Sequence, residues 1–336
     1  MQAVLLDEPG GPEVLRLREL PLPQPGPGQV RIKAMAIGVG RPDALIRTGR
    51  YKWMPPLPAI PGNEMAGVVD ALGDGVSGVR LGERVLLSAR ELPQRGGCYA
   101  QYACAPAAAL YALPDSIGFD DAVSLPNFQL AQALLFHCGG PQRARSVLLT
   151  GAAGGVASAM TQLATACGMR VIATASTQAK REFAIANGAR HALDPSSGDL
   201  ADRVLAATEG HGVDLAIDPI GAALFMQCLD CLAPLGTAVS YNIVGGPPAG
   251  DVFARLRHHL GKSLGVRVFS MHTFDADPVL RRALMTASIE AMAAGRVQAP
   301  SSTVLPLEQA SEAHRLLDAP DTLGKIILHP HGMPCN

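Results

Sequence analysis

The chain has 336 residues, 48% of them hydrophobic and 17% charged, with a net charge of −1. This composition excludes a disordered chain, and the near-zero charge gives no attraction for nucleic acid or an anionic membrane. No apolar run is long enough to span a bilayer, and the length predicts two domains.

In chain order, residues 1–35 alternate short strands with proline-rich turns. Pro9-Gly10-Gly11-Pro12 is a turn and 14–17 a strand. A longer turn over 21–28 precedes 29–34, whose alternation of polar and apolar residues predicts a half-buried strand. Residues 41–47 predict a short helix, with Pro42 and Asp43 near its start. Further strands are predicted at 65–70, 84–87 and 98–103. Up to about residue 116 the chain is an irregular, mostly β domain. Helices are then predicted over 116–125 and 129–138.

From 147 to about 267, strands and helices alternate. Strands are expected at 147–150, 171–174, 191–193, 215–218, 237–241 and 265–269, with helices between them, among them 178–187, 200–208 and 224–232. Regular α/β alternation predicts a doubly wound parallel sheet. Beyond 272 come an amphipathic helix over 278–294, a strand at 303–305, a helix over 307–317, a strand at 325–328 and a loose tail over 329–336. This last segment is expected to pack on the N-terminal β domain. The N-terminus starts a strand at once over 2–6, with no basic region and apolar signal core. Seven scattered cysteines show no disulfide framework. The expected location is the cytoplasm.

The stretch Thr150-Gly151-Ala152-Ala153-Gly154-Gly155-Val156-Ala157 joins the first of the parallel strands to a helix. Strand, glycine turn, helix and strand form the context of a dinucleotide-binding loop. Glycine lets the backbone approach a pyrophosphate, and the helix N-terminus offers unpaired N–H groups to it. Ala157 takes the place of a third glycine. NAD-binding units carry an acidic residue about 20 residues beyond the glycines. Here the second strand is followed by Ala175-Ser176-Thr177-Gln178-Ala179-Lys180-Arg181, with no carboxylate. Ser176 and Thr177 can donate to a 2′-phosphate, and Lys180 or Arg181 can neutralise it. The expected cofactor is NADPH.

Taken together, these motifs resemble the medium-chain dehydrogenase/reductase superfamily, and within it the zinc-independent quinone oxidoreductases of the zeta-crystallin group. The matching stretches run over nearly the whole chain. They include Gly10-Gly11-Pro12-Glu13-Val14-Leu15, Pro25-Gly26-Pro27-Gly28, residues 43–49, Pro61-Gly62, residues 151–156, Glu312-Ala313-His314 and Gly324-Lys325-Ile326. The resemblance implies an α/β chain in which a Rossmann domain (123–270) is inserted into a GroES-like, mostly β catalytic domain (1–122 plus 271–336). It implies NADPH as reductant and a homodimer, with the edge near 265–270 available for pairing across a two-fold axis.

By the same resemblance, Gly151, Ala153, Gly154, Gly155 and Val156 hold the cofactor, with Val156 facing the nicotinamide. Asn242, Val244, Gly245, Phe269 and Ser270 provide backbone contacts to the nicotinamide end, and Tyr51 lies beside the cofactor. Two departures stand out: Gly40 replaces the asparagine of relatives, and Ala131 a threonine. Zinc-bearing relatives have a Gly-His-Glu motif; here the histidine is replaced by Asn63, in Gly62-Asn63-Glu64, and the preceding 38–40 segment has no cysteine. Cys228 and Cys231 read as small apolar helix residues, and His258-His259 as a solvated helix face.

Hydride transfer needs no catalytic triad or dyad. The protein supplies position and a dry cleft. Tyr51 is the candidate donor to the oxygen that gains charge as a quinone or enone is reduced, and Trp53 a candidate for an apolar entrance. Two other readings stay open. One is a 2-enoyl thioester reductase, with Arg50, Lys52 and the 255–259 basic cluster serving a bulky substrate. The other is an NADPH-binding structural or regulatory protein with little turnover.

Overall fold

The computed structural model describes residues 1–138 and 144–332. The end of the expected tail, 333–336, lies outside them. Residue contacts divide the chain into two compact units, 1–126 with 301–336, and 127–300.

The first unit opens with a hairpin of β1 (Gln2–Leu6) and β2 (Leu15–Glu19). Its centre is β3 (Gln29–Val39), in which Val30, Ile32 and Ala34 are buried between partly exposed Arg31 and Lys33. This is the period-two pattern of a strand with one face in a core. Helix α1 (Arg41–Arg47) follows, then β4 (Glu64–Leu72), β5 (Arg84–Ser88), β6 (Tyr102–Pro106) and β7 (Leu110–Ala112). The expected helix over 116–125 is only the short α2 (Phe119–Ala122), capped in front by Gly118. Helix α3 (Leu125–Gln132) runs on into π-helical turns over Ala133–His137.

The second unit holds β8 (Ser146–Leu149), α4 (Gly155–Ala166), β9 (Arg170–Thr174), α5 (Gln178–Ala186), β10 (His191–Leu193) and α6 (Leu200–Ala207). Next come β11 (Val213–Asp218), α7 (Ala222–Asp230), β12 (Leu232–Ser240), α8 (Val252–His258), β13 (Gly265–Val268) and α9 (Pro278–Ala293). The sheet is parallel throughout, in the order β10-β9-β8-β11-β12-β13. The order reverses between β8 and β11, the switch point at which such sheets bind ligands beyond their strand ends. Strands covered on both faces read as continuous apolar runs, and β8 is buried throughout. Helix α4 buries Ala157, Ala159, Met160, Leu163 and Ala164. Its small residues allow a close approach to the sheet.

Back in the first unit, β14 (Ser302–Pro306), α10 (Ala310–Asp318) and β15 (Lys325–His329) complete the chain, with β15 pairing antiparallel to β3. Residues 271–300 differ from expectation. They belong to the parallel-sheet unit, because Met271, Phe274, Leu284, Ala291 and Val297 share one core with Phe128, Leu134, Val171 and Ile217. An amphipathic helix packs where apolar surface is available to cover it, and here the Rossmann unit supplies that surface. Among the described residues, no helix is long and apolar enough to cross a membrane.

Candidate active site

The glycine turn lies between the end of β8 and the start of α4. Gly151 has φ +61, a conformation that suits glycine, and a Cβ there would press on Ile220 Cδ1 at 3.0 Å. The turn is tied to the neighbouring strand by Ala152 N–H donating to the Thr174 carbonyl at 3.0 Å. Gly154 is the N-cap of α4, and no side chain caps the helix. The first-turn N–H groups therefore have no helical acceptor. Gly154 is exposed, and a Cβ built on it meets nothing within 4 Å. Two buried hydroxyls in the same region, Ser158 Oγ and Thr174 Oγ1, have no partner among the described residues. Open space, unpaired N–H groups and a positive helix end together fit a dinucleotide pyrophosphate.

Of the residues expected to hold the cofactor, Gly151, Ala153, Gly154, Gly155 and Val156 form this turn, and Val156 is half-buried. Ser176 is exposed just past β9, and Lys180 is in the first turn of α5. The Thr177 hydroxyl accepts from Lys180 N at 3.4 Å and caps that helix. Arg181 is already engaged. It donates to the carbonyls of Ala175 and Ser176 and to Asp194 Oδ2 at 3.2 Å. Asn242, Val244 and Gly245 lie in the turn after β12, where the Val244 and Gly245 N–H groups donate to the carbonyls of Pro219 and Ile220. The Phe269 ring is buried in the core and its N–H donates to the Ser240 carbonyl, while the Ser270 side chain caps the turn that follows.

A second polar cluster lies in the first unit. Asp43, on α1, is 1% exposed. Its Oδ1 accepts from Asn63 Nδ2 at 2.6 Å, and its Oδ2 accepts from Gly40 N–H at 2.8 Å and from the Tyr99 hydroxyl at 3.3 Å. Tyr99 Oη lies 3.0 Å from His314 Nε2, and His314 Nδ1 accepts from Arg47 at 3.3 Å. Arg47 also donates to Asp318 at 2.6 Å. Burial pushes the His314 pKa down to about 3, assisted by Arg47, so the ring is neutral. Burial and then the nearby Glu64 push Asp43 up to about 7. Glu64 pairs with buried Lys325.

Tyr51 is half-buried, stacked at a tilt on Trp53 with ring centroids 5.8 Å apart. Burial raises its pKa, opposed by Arg90 and Arg95. Its phenol therefore stays protonated through neutral pH and is able to donate. Trp53, Arg50 and Lys52 are exposed.

Asn63 and Glu64 are committed to Asp43 and Lys325, and Gly38 has no room for a side chain beside the Glu64 carboxylate. Among the described residues, no group of three or more His, Cys, Asp or Glu side chains is placed to hold a metal. Cys228 and Cys231 are buried, and burial pushes the Cys231 thiol up to about 12, which leaves it unreactive. His259 bonds to Asp230 at 2.8 Å.

The sequence reading missed Asp218, which ends β11 fully buried, and the long-range partners of Asp43. An acid closing an apolar strand and followed by Pro219-Ile220-Gly221 was the available signal for the first. Nothing local marks the second.

A parallel sheet with a glycine turn at its switch point, in one chain with a mostly antiparallel β unit, is the architecture of a two-domain dehydrogenase-like oxidoreductase. Family models agree. Residues 26–115 match the alcohol dehydrogenase GroES-like domain, and 155–284 the zinc-binding dehydrogenase domain. The human quinone oxidoreductase is 32% identical over 98% of this chain and 97% of its own length. Among solved structures, the Pseudomonas syringae quinone oxidoreductase is 31% identical with a TM-score of 0.87, covering 98% of this chain and 99% of that one. The Escherichia coli quinone oxidoreductase, solved in complex with NADPH, is 28% identical with a TM-score of 0.86, covering 98% of this chain and 100% of that one. The chain belongs to the quinone oxidoreductases of the medium-chain dehydrogenase/reductase superfamily.

Proposed function

We propose that the protein transfers hydride from NADPH to a quinone or an α,β-unsaturated carbonyl compound, without zinc. The observation that carries this reading is the glycine turn: an uncapped helix N-terminus with open space above Gly154, at the switch point of a parallel sheet. The relatives named as quinone oxidoreductases, one of them solved with NADPH, support it. When bound, NADPH supplies the hydride and its electron pair.

The chain supplies the rest. The N–H groups at 155–157 bind the pyrophosphate, and Lys180 with Ser176 binds the 2′-phosphate. Tyr51 donates a hydrogen bond to the oxygen on which charge develops, a contribution that strengthens only as the hydride moves. One proton from solvent completes the reduction. Asn63 and Glu64 are held by Asp43 and Lys325, which supports a reading without a metal Lewis acid.

The test is NADPH oxidation by the purified protein with p-benzoquinone, phenanthrenequinone and crotonyl-CoA, with NADH in parallel. Quinone turnover with NADPH at least about tenfold above the thioester is expected. Tyr51→Phe should lower kcat by roughly tenfold to a hundredfold. Preference for crotonyl-CoA would instead assign a 2-enoyl thioester reductase. NADPH binding with no turnover on any acceptor would assign a non-catalytic role.

We also propose a homodimer through β13. This strand ends the sheet, and Val268 on it is 85% exposed, near exposed Val266. An apolar edge strand of this kind needs covering, and a second copy covers it symmetrically. Light scattering should give the mass of two chains, and Val268→Lys the mass of one. A wild-type mass of one chain would remove the dimer.

A further inference from the structure

Asp218 has no place in the hydride chemistry above, yet it is a fully buried carboxylate at the C-terminal end of β11, beside the switch point. Its two oxygens face two different loops. Oδ1 accepts from the Thr150 hydroxyl, at the first position of the glycine turn. Oδ2 accepts from Gly221 N–H at 2.6 Å, at the start of α7. The backbone closes the same knot: Thr150 N–H donates to the Ile217 carbonyl at 3.2 Å, and Tyr241 N–H to the Asp218 carbonyl at 3.2 Å.

The loops joined in this way leave little free volume. Gly221 has φ +79, and any side chain on it would run into the Gly246 carbonyl. The Ala222 N–H donates to that carbonyl at 3.1 Å, and the Gly245 N–H donates to the Ile220 carbonyl at 2.7 Å. On the other side, Ile220 lies against Gly151. The turns after β8, β11 and β12 therefore interlock, and the Asp218 side chain hydrogen-bonds across the first two. A buried carboxylate is retained at such a point only when its oxygens are satisfied. In return it fixes the groups that donate to it.

We infer that Asp218 is a positioning residue for the dinucleotide: it clamps Thr150 to Gly221, so that the glycine turn and the 242–246 turn are preformed as one cradle before NADPH arrives. Preforming the site removes an ordering cost from binding. The clamp touches no reacting atom, so its loss raises the Kd and KM for NADPH and leaves kcat at saturation nearly intact. The inference rests on the NADPH reading above, but the clamp itself is measurable without cofactor.

The experiment compares wild type, Asp218→Ala, Thr150→Val and Thr150→Ser. Hydrogen exchange of the amides over 150–157 and 242–246 is measured in the cofactor-free protein, and the Kd for NADPH by nicotinamide fluorescence. Ala at 218 removes both acceptors, whereas Asn keeps both bonds, because its amide N–H donates to the Thr150 hydroxyl while its oxygen accepts from the Gly221 N–H. Expected are at least tenfold faster exchange at the hydrogen-bonded amides of Thr150, Ala152 and Gly245, a Kd raised at least tenfold, and kcat within about threefold. Thr150→Val should repeat the effect more weakly, and Thr150→Ser, which keeps the hydroxyl, should restore it. Should Asp218→Ala fail to fold, the Thr150 pair decides the matter. Unchanged exchange in a folded Asp218→Ala, or Thr150→Val indistinguishable from Thr150→Ser, would overturn the clamp. Wild type that fails to bind NADPH overturns the cofactor reading instead, and the exchange data still decide the clamp.

Discussion

Gly154→Asp should lose NADPH binding by at least about a hundredfold while the protein stays as stable as wild type or becomes slightly more so. The two effects have opposite signs because they act on the same N–H groups. Residue 154 has φ −86 and ψ 164, ordinary extended geometry for any residue, and there is open space for a Cβ. An aspartate there becomes the side-chain cap that α4 lacks. A capping carboxylate at a helix N-terminus is worth about 0.5–1 kcal/mol over glycine. It also occupies the donors a pyrophosphate needs and places a like charge next to it. At an effective dielectric constant of about 20, two unit charges about 4 Å apart repel by roughly 4 kcal/mol, and screening leaves a hundredfold loss as the lower expectation. Calorimetry and fluorescence titration read the two effects separately. Gly154→Ala adds bulk without charge and should lose far less. An unchanged Kd in Gly154→Asp would remove the glycine turn from the cofactor site.

The second large effect is a pH-dependent stability traced to Asp43. Its carboxyl faces Glu64, Lys325, Tyr99, Asn63 and Gly40 N–H, and burial with Glu64 raises its pKa from 3.8 to about 7. The folded protein therefore keeps a proton that the unfolded chain releases near pH 4. Between these two values the native state binds more protons, so stability falls as pH rises through the window and levels off above about 7. A shift of about 3 units corresponds to roughly 4 kcal/mol when fully expressed.

Asp43→Asn has no proton to lose. It carries a constant penalty, of about 1–3 kcal/mol, for turning an amide N–H donor toward the Asn63 amide N–H or toward the Gly40 N–H and the Tyr99 hydroxyl, which are themselves donors. The stability difference between variant and wild type should therefore move in favour of the variant as pH rises from 4 to 8. Urea unfolding at a series of pH values checks this. Parallel curves for the two proteins would show that Asp43 does not titrate in that window.

Much of the architecture was legible in the chain itself, because the signals are local. Apolar runs bounded by turn residues located each parallel strand to within a few residues, and β10 matched at both ends. The turn at Gly151 announced itself through residues that tolerate positive φ and leave room for a phosphate. The order of short motifs marked the family. The helix over 224–232 proved to be α7 (Ala222–Asp230), with Cys231 as its C-cap, a two-residue shift set by Gly221.

What only the tertiary structure decided depends on contacts between residues far apart in the chain. Asp43 meets Tyr99 across 56 positions, and Tyr99 meets His314 across 215; no periodicity encodes such a meeting. Arg181, next to Lys180 at the start of α5, is met by Asp194 from just past the end of another strand. Residues 271–300 carried an apolar face that could have covered either core. Local pattern sets how a segment folds, but which surface it covers is decided by the free energy of burying that face against one core instead of another. Asp218 shows the same division. Its strand was plain from sequence, but the two loops it joins lie at the ends of strands brought side by side only by the sheet order.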